Sequence, residues 1–283
     1  MKKIAYLICA SGLFSSAFLH AGTLTRMNNT AHWGGWYTGL NLGGWWDRHD
    51  YVQATGTPGS NRVINPGLNP SFSSAVTNVA KANPDGLITG FQVSYNQEYR
   101  YTYLVGVEAD LQWLLNKNNI GRGSRSIALT DSPSSIDTNL ALTKSTRVIG
   151  TVRARAGYMM TPKWLIYGTG GLGYGMANLG VAYTAHFKGH PRTARNLAIS
   201  KTGAINYLLG WSAGGGIEWM YKKNWVARIE MLCINLGSIQ KKVNLTQYSD
   251  ATTPPSPYSD TQVTIKVPFN QAVARVALSY RFA

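Results

Sequence analysis

Eight stretches of this chain alternate apolar and polar side chains with a period of two, and the connections joining them run long, short, long, short, long, short, long. Side chains on a strand point to opposite faces in turn, so each stretch reads as a strand with one apolar face. The last is the clearest. In Gln271 to Phe282, Ala272, Ala274, Val276, Leu278, Tyr280 and Phe282 share one parity, and Gln271, Arg275, Ser279 and Arg281 share the other. Gly, Tyr and Trp are plentiful and helix-favouring charged residues scarce, which favours an all-β fold.

Strand one, Trp36 to Trp46, sets Trp36, Thr38, Leu40, Leu42 and Trp46 against Tyr37, Gly39, Asn41 and Gly43. A polar stretch from Asp47 to Gly86 ends in the turn signal Asn83-Pro84-Asp85-Gly86. Strand two follows from Leu87, and a short turn near Gln97 to Arg100 leads to strand three, where Tyr103, Val105, Val107, Ala109, Leu111 and Trp113 share a face. Leu115 to Lys144 reads as a second long loop, and strand four, Thr146 to Tyr158, opposes Val148, Val152, Ala154, Ala156 and Tyr158 to Arg147, Thr151, Arg153 and Arg155. The turn Thr161-Pro162-Lys163 opens strand five, Trp164 to Ala177, whose glycines leave its facing ambiguous. Loop Asn178 to Gly203, strand six to Trp219, the turn Tyr221 to Asn224, strand seven (Trp225 to Leu236) and loop Gly237 to Lys266 complete the run.

A soluble sandwich has no reason to sort its connections by length. A transmembrane barrel does, with short turns at the periplasmic rim and long loops at the cell surface. Lys2 and Lys3 precede an apolar stretch, Ile4 to Phe18, followed by Leu19, His20 and Ala21, so residues 1–21 read as a signal peptide, 22–35 as a periplasmic lead and 36–283 as the barrel. No later stretch reaches the roughly 18 apolar residues of a spanning helix. Cys9 falls in the leader, leaving Cys233 as the one cysteine of the processed chain and no partner for an intramolecular disulfide. The fold expected is an all-β, eight-stranded antiparallel transmembrane barrel located in the cell outer membrane.

Trp33, Trp36, Tyr101, Tyr103, Tyr158, Trp164, Trp219, Tyr221, Trp225, Tyr280 and Phe282 all lie beside a short turn or a terminus, so a barrel gathers them into a girdle at one rim. Of the 12 acidic residues, Glu108, Asp110, Glu218 and Glu230 fall within strands. Buried charges must be paired. Glu108 and Asp110 are expected beside Arg153 and Arg155, Glu218 beside Arg228, and Glu230 within reach of Arg275. Strand seven fits less well, because Val226, Leu232 and Ile234 share parity with its charges. Arginines hold such carboxylates ionised, which favours structural pairing over acid–base chemistry. An eight-stranded barrel is filled by its own side chains, leaving little space for a pore.

The glycine run Gly168 to Gly175 lacks the following helix and lysine of a phosphate loop and suits a strand crowded by large neighbours. His186 and His190 share a basic loop with Lys188, Arg192 and Arg195 and are the candidate haem or ligand residues, against the plainer reading of a solvated loop. No metal cluster and no catalytic set built on a histidine is visible, so no cofactor and no enzymatic activity are expected. Formal charge is +15, or +13 once Lys2 and Lys3 leave with the leader. With no nucleic-acid-binding motif present, the partners expected are outer-membrane lipid and lipopolysaccharide phosphates and host or surface proteins. Residues 179–185, 239–245 and 263–267 alternate too, which extends strands above the membrane into a sheet with a free edge.

Four runs resemble the small eight-stranded outer-membrane surface-antigen family of alphaproteobacteria, related in architecture to opacity-type porin-like proteins. They are GFQVSYNQ at Gly90 to Gln97, GVEADLQW at Gly106 to Trp113, TVRARAGYMMTPKWLIYGTGGLGYG at Thr151 to Gly175, and GWSAGGGIEWMYKKNWVARIE at Gly210 to Glu230. The resemblance implies a surface antigen with roles in envelope integrity and host interaction, and some relatives bind haem. It also implies that Tyr280 and Phe282 form the terminal aromatic signal read by the barrel assembly machinery, although Ala283 follows Phe282 here. A narrow pore or a haem- or ligand-binding barrel is the alternative.

Overall fold

The computed structural model describes residues 32–48, 51–58, 78–81, 84–100, 102–115, 119–128, 135–188, 197–249 and 256–282. Residues 1–21, read above as a signal peptide, and Tyr101 lie outside the described residues. Described are strands β1 (Gly35–Asp47), β2 (Tyr51–Pro58), β3 (Asn78–Lys81), β4 (Asp85–Tyr99), β5 (Tyr103–Leu115), β6 (Asn119–Ala128), β7 (Ser135–Thr161), β8 (Trp164–Lys188), β9 (Leu197–Lys222), β10 (Trp225–Ser249) and β11 (Ser256–Phe282). All pairings are antiparallel, and β1, β4, β5, β7, β8, β9, β10 and β11 form a ring that closes where Trp36 meets Phe282 and Asp47 meets Gln271. This is an eight-stranded barrel. Every backbone group inside the bilayer is thereby paired without a free edge.

The long connections depart from the sequence reading. Residues 47–86 and 115–144 read as loops, yet they carry β2, β3, β6 and the first part of β7. β2 continues β1 upward along β11, with Ala54 opposite Ile265, and β6 continues β5 upward along β7, with Asn119 opposite Lys144. β3 joins β2 to β6. The barrel wall therefore rises well above the membrane, and the Gly, Ser, Asn and Pro content of these stretches conceals short strands from a composition-based reading. β8, β9, β10 and β11 likewise run through most of 178–203 and 237–266.

β11 explains how one wall serves two environments. Its odd positions point inward throughout: Val263, Ile265, Val267 and Phe269 above, Gln271, Val273, Arg275, Ala277, Ser279 and Arg281 below, all buried. The even positions are Thr264, Lys266, Pro268 and Asn270 above, and Ala274, Val276, Leu278, Tyr280 and Phe282 below. Parity is constant while polarity inverts. Water outside the upper wall demands an apolar interior, and hydrocarbon outside the lower wall allows a polar one.

Aromatic rings mark the lower boundary. Cross-strand pairs Trp36–Tyr95, Tyr103–Tyr158, Trp164–Trp219 and Trp225–Tyr280 have centroids 5.1, 5.7, 6.0 and 5.2 Å apart. Each successive pair of strands around the ring carries one. Trp46, Trp113 and Tyr174 stand about ten residues further along β1, β5 and β8, the length a tilted strand needs to cross the bilayer. Trp33 corrects the girdle: it is 0% exposed and plugs the barrel end, its indole N–H donating to Pro162 O at 3.0 Å and its carbonyl accepting from Tyr37 Oη at 2.7 Å. β1 starts at Gly35, and Trp33 just before it is buried in the barrel end.

Two of the register shifts in the wall bear on how its strands face and pair. A register shift between Thr146 and Val148 turns Arg147 outward, so Arg147 is exposed instead of joining Thr151, Arg153 and Arg155. A second lies between Asn235 and Ser238, where Gly237 takes φ +77 and Asn235 Oδ1 accepts from its N–H at 2.8 Å. There β10 leaves β9: the two pair up to Trp211 opposite Asn235, whereas β9 stays on β8 and β10 stays on β11 far above. Cys233 lies in β10, and Cys9 lies outside the described residues.

Candidate functional site: the charged lumen

The interior is layered. At the periplasmic end Trp33, Tyr37, Leu104, Met159, Leu165, Met220 and Val226 form an apolar plug. Above the middle a larger apolar cluster includes Trp45, Ile88, Leu140, Leu142, Ile149, Leu232, Ile234, Ile265 and Phe269. Between them lie four arginines and four carboxylates. Strand seven's mixed parity is resolved by this order: Val226 belongs to the lower plug, Leu232 and Ile234 to the upper cluster, and Arg228 and Glu230 to the layer between.

Register sets the charge positions. Glu108 stands opposite Arg153, Arg228 opposite Glu218, and Glu230 opposite Arg275. The side chains then reach across the lumen. Arg153 donates to Glu108 at 2.6 Å, Asp110 at 2.8 Å and Glu230 at 3.2 Å. Arg228 donates to Glu218 at 2.7 Å and, from the far wall, to Glu108 at 2.6 Å. Arg155 donates to Glu218 at 2.7 Å and Glu108 at 3.3 Å. Arg275 donates to Glu230 Oε2 at 2.7 Å and Asp110 Oδ2 at 2.8 Å. Planar guanidinium forks suit this branching, because one arginine can serve carboxylates on different strands.

All eight side chains are buried, and four positive charges face four negative ones. A neutral set can occupy a dry interior, where any unbalanced member would be costly. Since β5 and β10 face each other across the ring, the Arg228–Glu108 bond is a strut through the lumen. Chemically the arrangement ties strands on opposite sides of the ring to one another.

Tyr167 completes the layer and is missed by the sequence reading. Its hydroxyl donates to Glu230 Oε1 at 2.8 Å, and its ring lies 4.2 Å from the Arg155 guanidinium and 5.5 Å from that of Arg228. Gly216, opposite Tyr167, provides the space: a Cβ there would come 2.8 Å from the hydroxyl. That signal requires the register, which the glycine run hides. A second buried ion pair, Lys144 with Asp47, sits among the upper apolar residues, with Lys144 Nζ 4.6 Å from the Phe269 ring centroid. Lys144 and Asp47 mark loop boundaries in the sequence reading, so this pair also depends on strands invisible there.

Of the two candidate histidines, the structure describes the backbone of His186 only. His186 is in β8 with its backbone opposite Asp137, and His190 lies outside the described residues. Among the described residues no cluster of three metal-ligating side chains occurs. Tyr280 and Phe282 stack edge-on with centroids 5.3 Å apart at the lower rim.

No protein-family model matches the chain. It is 31% identical over 199 residues to the 31 kDa outer-membrane immunogenic protein of Brucella melitensis, an alignment covering 70% of this chain and 67% of that protein. The protein of the same description from Brucella suis matches equally. Among solved structures, it is similar to the outer membrane protein OprG of Pseudomonas aeruginosa, with 10% identity, a TM-score of 0.41 and coverage of 89% of this chain and 99% of that one. It is also similar to Ail, the attachment invasion locus protein of Yersinia pestis, with 14% identity, a TM-score of 0.31 and coverage of 88% and 99%.

Proposed function

We propose that this chain, which belongs to the outer-membrane β-barrel family of the Brucella 31 kDa immunogenic protein, is a non-enzymatic surface protein that braces the envelope and presents its raised wall to external partners. The observation that carries the reading is the contrast between a lumen tied shut by charged struts and a wall that continues past the bilayer. A pore would need the Arg228–Glu108 strut to open. Catalysis would need a carboxylate or nucleophile free of arginine, and the carboxylates of this layer are all engaged.

The raised wall supports the surface half of the reading. Arg122, Arg147, Lys242 and Lys266 are exposed on its outer face, a chemistry suited to lipopolysaccharide phosphates. Above Trp211 and Asn235 the facing margins of β9 and β10 are unpaired with each other, and Ile205, Tyr207 and Leu209 project outward beside that margin, Tyr207 79% exposed. Strand edges of this kind accept an extended segment of a host or neighbouring protein. Insertion by the barrel assembly machinery through Tyr280 and Phe282 fits the same role.

Planar-bilayer recording of the refolded protein tests the reading. The expected result is no discrete conductance steps in the wild type; regular steps would overturn the closed lumen and favour the narrow pore. Haem titration of the wild type against a His186→Ala, His190→Ala double variant tests the ligand-binding alternative, for which saturable binding lost in the double variant is the supporting result.

A further inference from the structure

The periplasmic rim carries a charge pattern that neither the lumen nor the raised wall uses. Each of its three turns places a cation directly beside an outward aromatic of the girdle. Arg100 follows Tyr99, Lys163 precedes Trp164, and Lys222 and Lys223 follow Tyr221. All four cations are exposed. Two rest against the girdle itself, Arg100 5.2 Å from the Tyr99 ring centroid and Lys222 5.4 Å from that of Tyr221.

The one acidic side chain placed at this rim among the described residues is turned away. Glu98 accepts hydrogen bonds from the backbone N–H groups of Trp33 and Gly34, the latter at 3.2 Å. It neutralises none of the turn cations. Arg281, by contrast, is buried and donates to the carbonyls of His32 and Gly34, so it belongs to the plug.

The turns are fixed relative to one another. Met159 N–H donates to Thr102 O at 2.8 Å, Met220 N–H to Lys163 O at 2.9 Å and Arg281 N–H to Asn224 O at 2.7 Å, which links each turn to the next around the rim. Arg100 has φ 53, a left-handed conformation that glycine or asparagine adopts more cheaply. A long cation is kept where a turn alone would favour a smaller residue.

Girdle rings settle at the headgroup level of a bilayer, so cations one residue beyond them stand at phosphate depth. We propose that this rim is a binding surface for anionic phospholipids of the leaflet facing the periplasm, with Arg100, Lys163, Lys222 and Lys223 engaging headgroup phosphates and the girdle rings contacting the acyl region below. Such lipids carry net negative charge where phosphatidylcholine and phosphatidylethanolamine carry none, so the surface selects by charge. Lateral selection of lipid is distinct from the outward contacts proposed above.

The test uses the full chain refolded into vesicles doped with brominated phosphatidylglycerol or brominated phosphatidylcholine, which quench tryptophans such as Trp164 and Trp225 on contact. Wild type should be quenched about two- to threefold more effectively by the anionic lipid, with the preference falling as salt rises. In an Arg100→Asn, Lys163→Gln, Lys222→Gln, Lys223→Gln variant the ratio should fall to near one. A Lys242→Gln, Lys266→Gln variant of the raised wall should keep the wild-type ratio. Equal quenching of wild type by both lipids, an unchanged ratio in the rim variant, or an equal fall in the raised-wall variant would each overturn the proposal. Heat-modified gel mobility verifies folding; if the fourfold variant does not fold, Lys222→Gln, Lys223→Gln is read by the same ratio. Purified cell-wall sacculi provide a competing arm: rim-dependent co-sedimentation without lipid preference would assign the cations to the wall instead.

Discussion

The middle and the top of the lumen are built from continuous strands but in opposite chemistries. In the middle, β5, β7, β10 and β11 turn Glu108, Arg153, Glu230 and Arg275 inward; at the top, β7 and β11 turn Leu140, Leu142, Ile265 and Phe269 inward. The difference follows from what lies outside. Where the outer face meets water, burying apolar side chains inside releases water and drives packing. Where it meets hydrocarbon, that drive is absent, and the interior is free to be specified by directional charge pairs. Strand parity identifies the inside without saying what it is made of.

That contrast predicts unequal responses to single substitutions. The largest effect is expected for Glu108→Leu, which leaves Arg153, Arg155 and Arg228 short of a shared carboxylate inside the barrel. Breaking a buried charge set from one side costs about 3–5 kcal/mol. Urea unfolding followed by tryptophan fluorescence should show the lowered midpoint across the whole barrel. An effect within about 0.5 kcal/mol, the usual range for surface changes, would mean that the layer is wet and the struts contribute little.

A smaller effect, confined to the raised wall, is expected for Ile265→Ala. Removing those methylenes from the upper cluster costs about 2–4 kcal/mol. Because β2, β3 and β6 pair only within the raised wall, the loss should appear as faster proteolysis of that wall, while the membrane barrel keeps its heat-modified mobility. A coincident loss of both would show that the two layers unfold as one unit and would end the distinction between them.

The membrane part of the fold is legible in the sequence because its outer face is continuously apolar. Leu40, Val107, Val152, Ile217 and Leu278 advertise their strands, and the inward charges follow from parity. Neighbouring strands also predict which charges meet, since Glu218 with Arg228 requires only antiparallel pairing across a short turn, and Glu230 with Arg275 only antiparallel pairing of consecutive strands. The raised wall is harder to read. β2 and β3 are short, β2 carries Gly56 and Pro58, and their apolar positions, such as Val52 and Ala54, are too few to set a period. Arg147 was beyond reach for another reason: a one-residue bulge reverses facing without changing composition. Trp33 looks like any rim aromatic until the chain is seen to turn it into the barrel end.

Tyr167 provides the finest test of the comparison, because it brings an apolar ring into the charged layer. Tyr167→Phe keeps the ring against Arg155 and removes the hydroxyl donated to Glu230, whose Oε1 still accepts from Arg153. The expected loss is about 1 kcal/mol, that of one hydrogen bond with the acceptor still satisfied. Tyr167→Leu removes the ring as well, leaving the Arg155 guanidinium without its aromatic face and a void beside Gly216, so it should cost more than Tyr167→Phe in the same urea titration. If the two variants are equally destabilised, the middle layer is held by its hydrogen bonds alone. If Tyr167→Phe is silent and Tyr167→Leu is not, packing governs the charged layer as it governs the apolar one above, and the two regions differ in composition but not in what stabilises them.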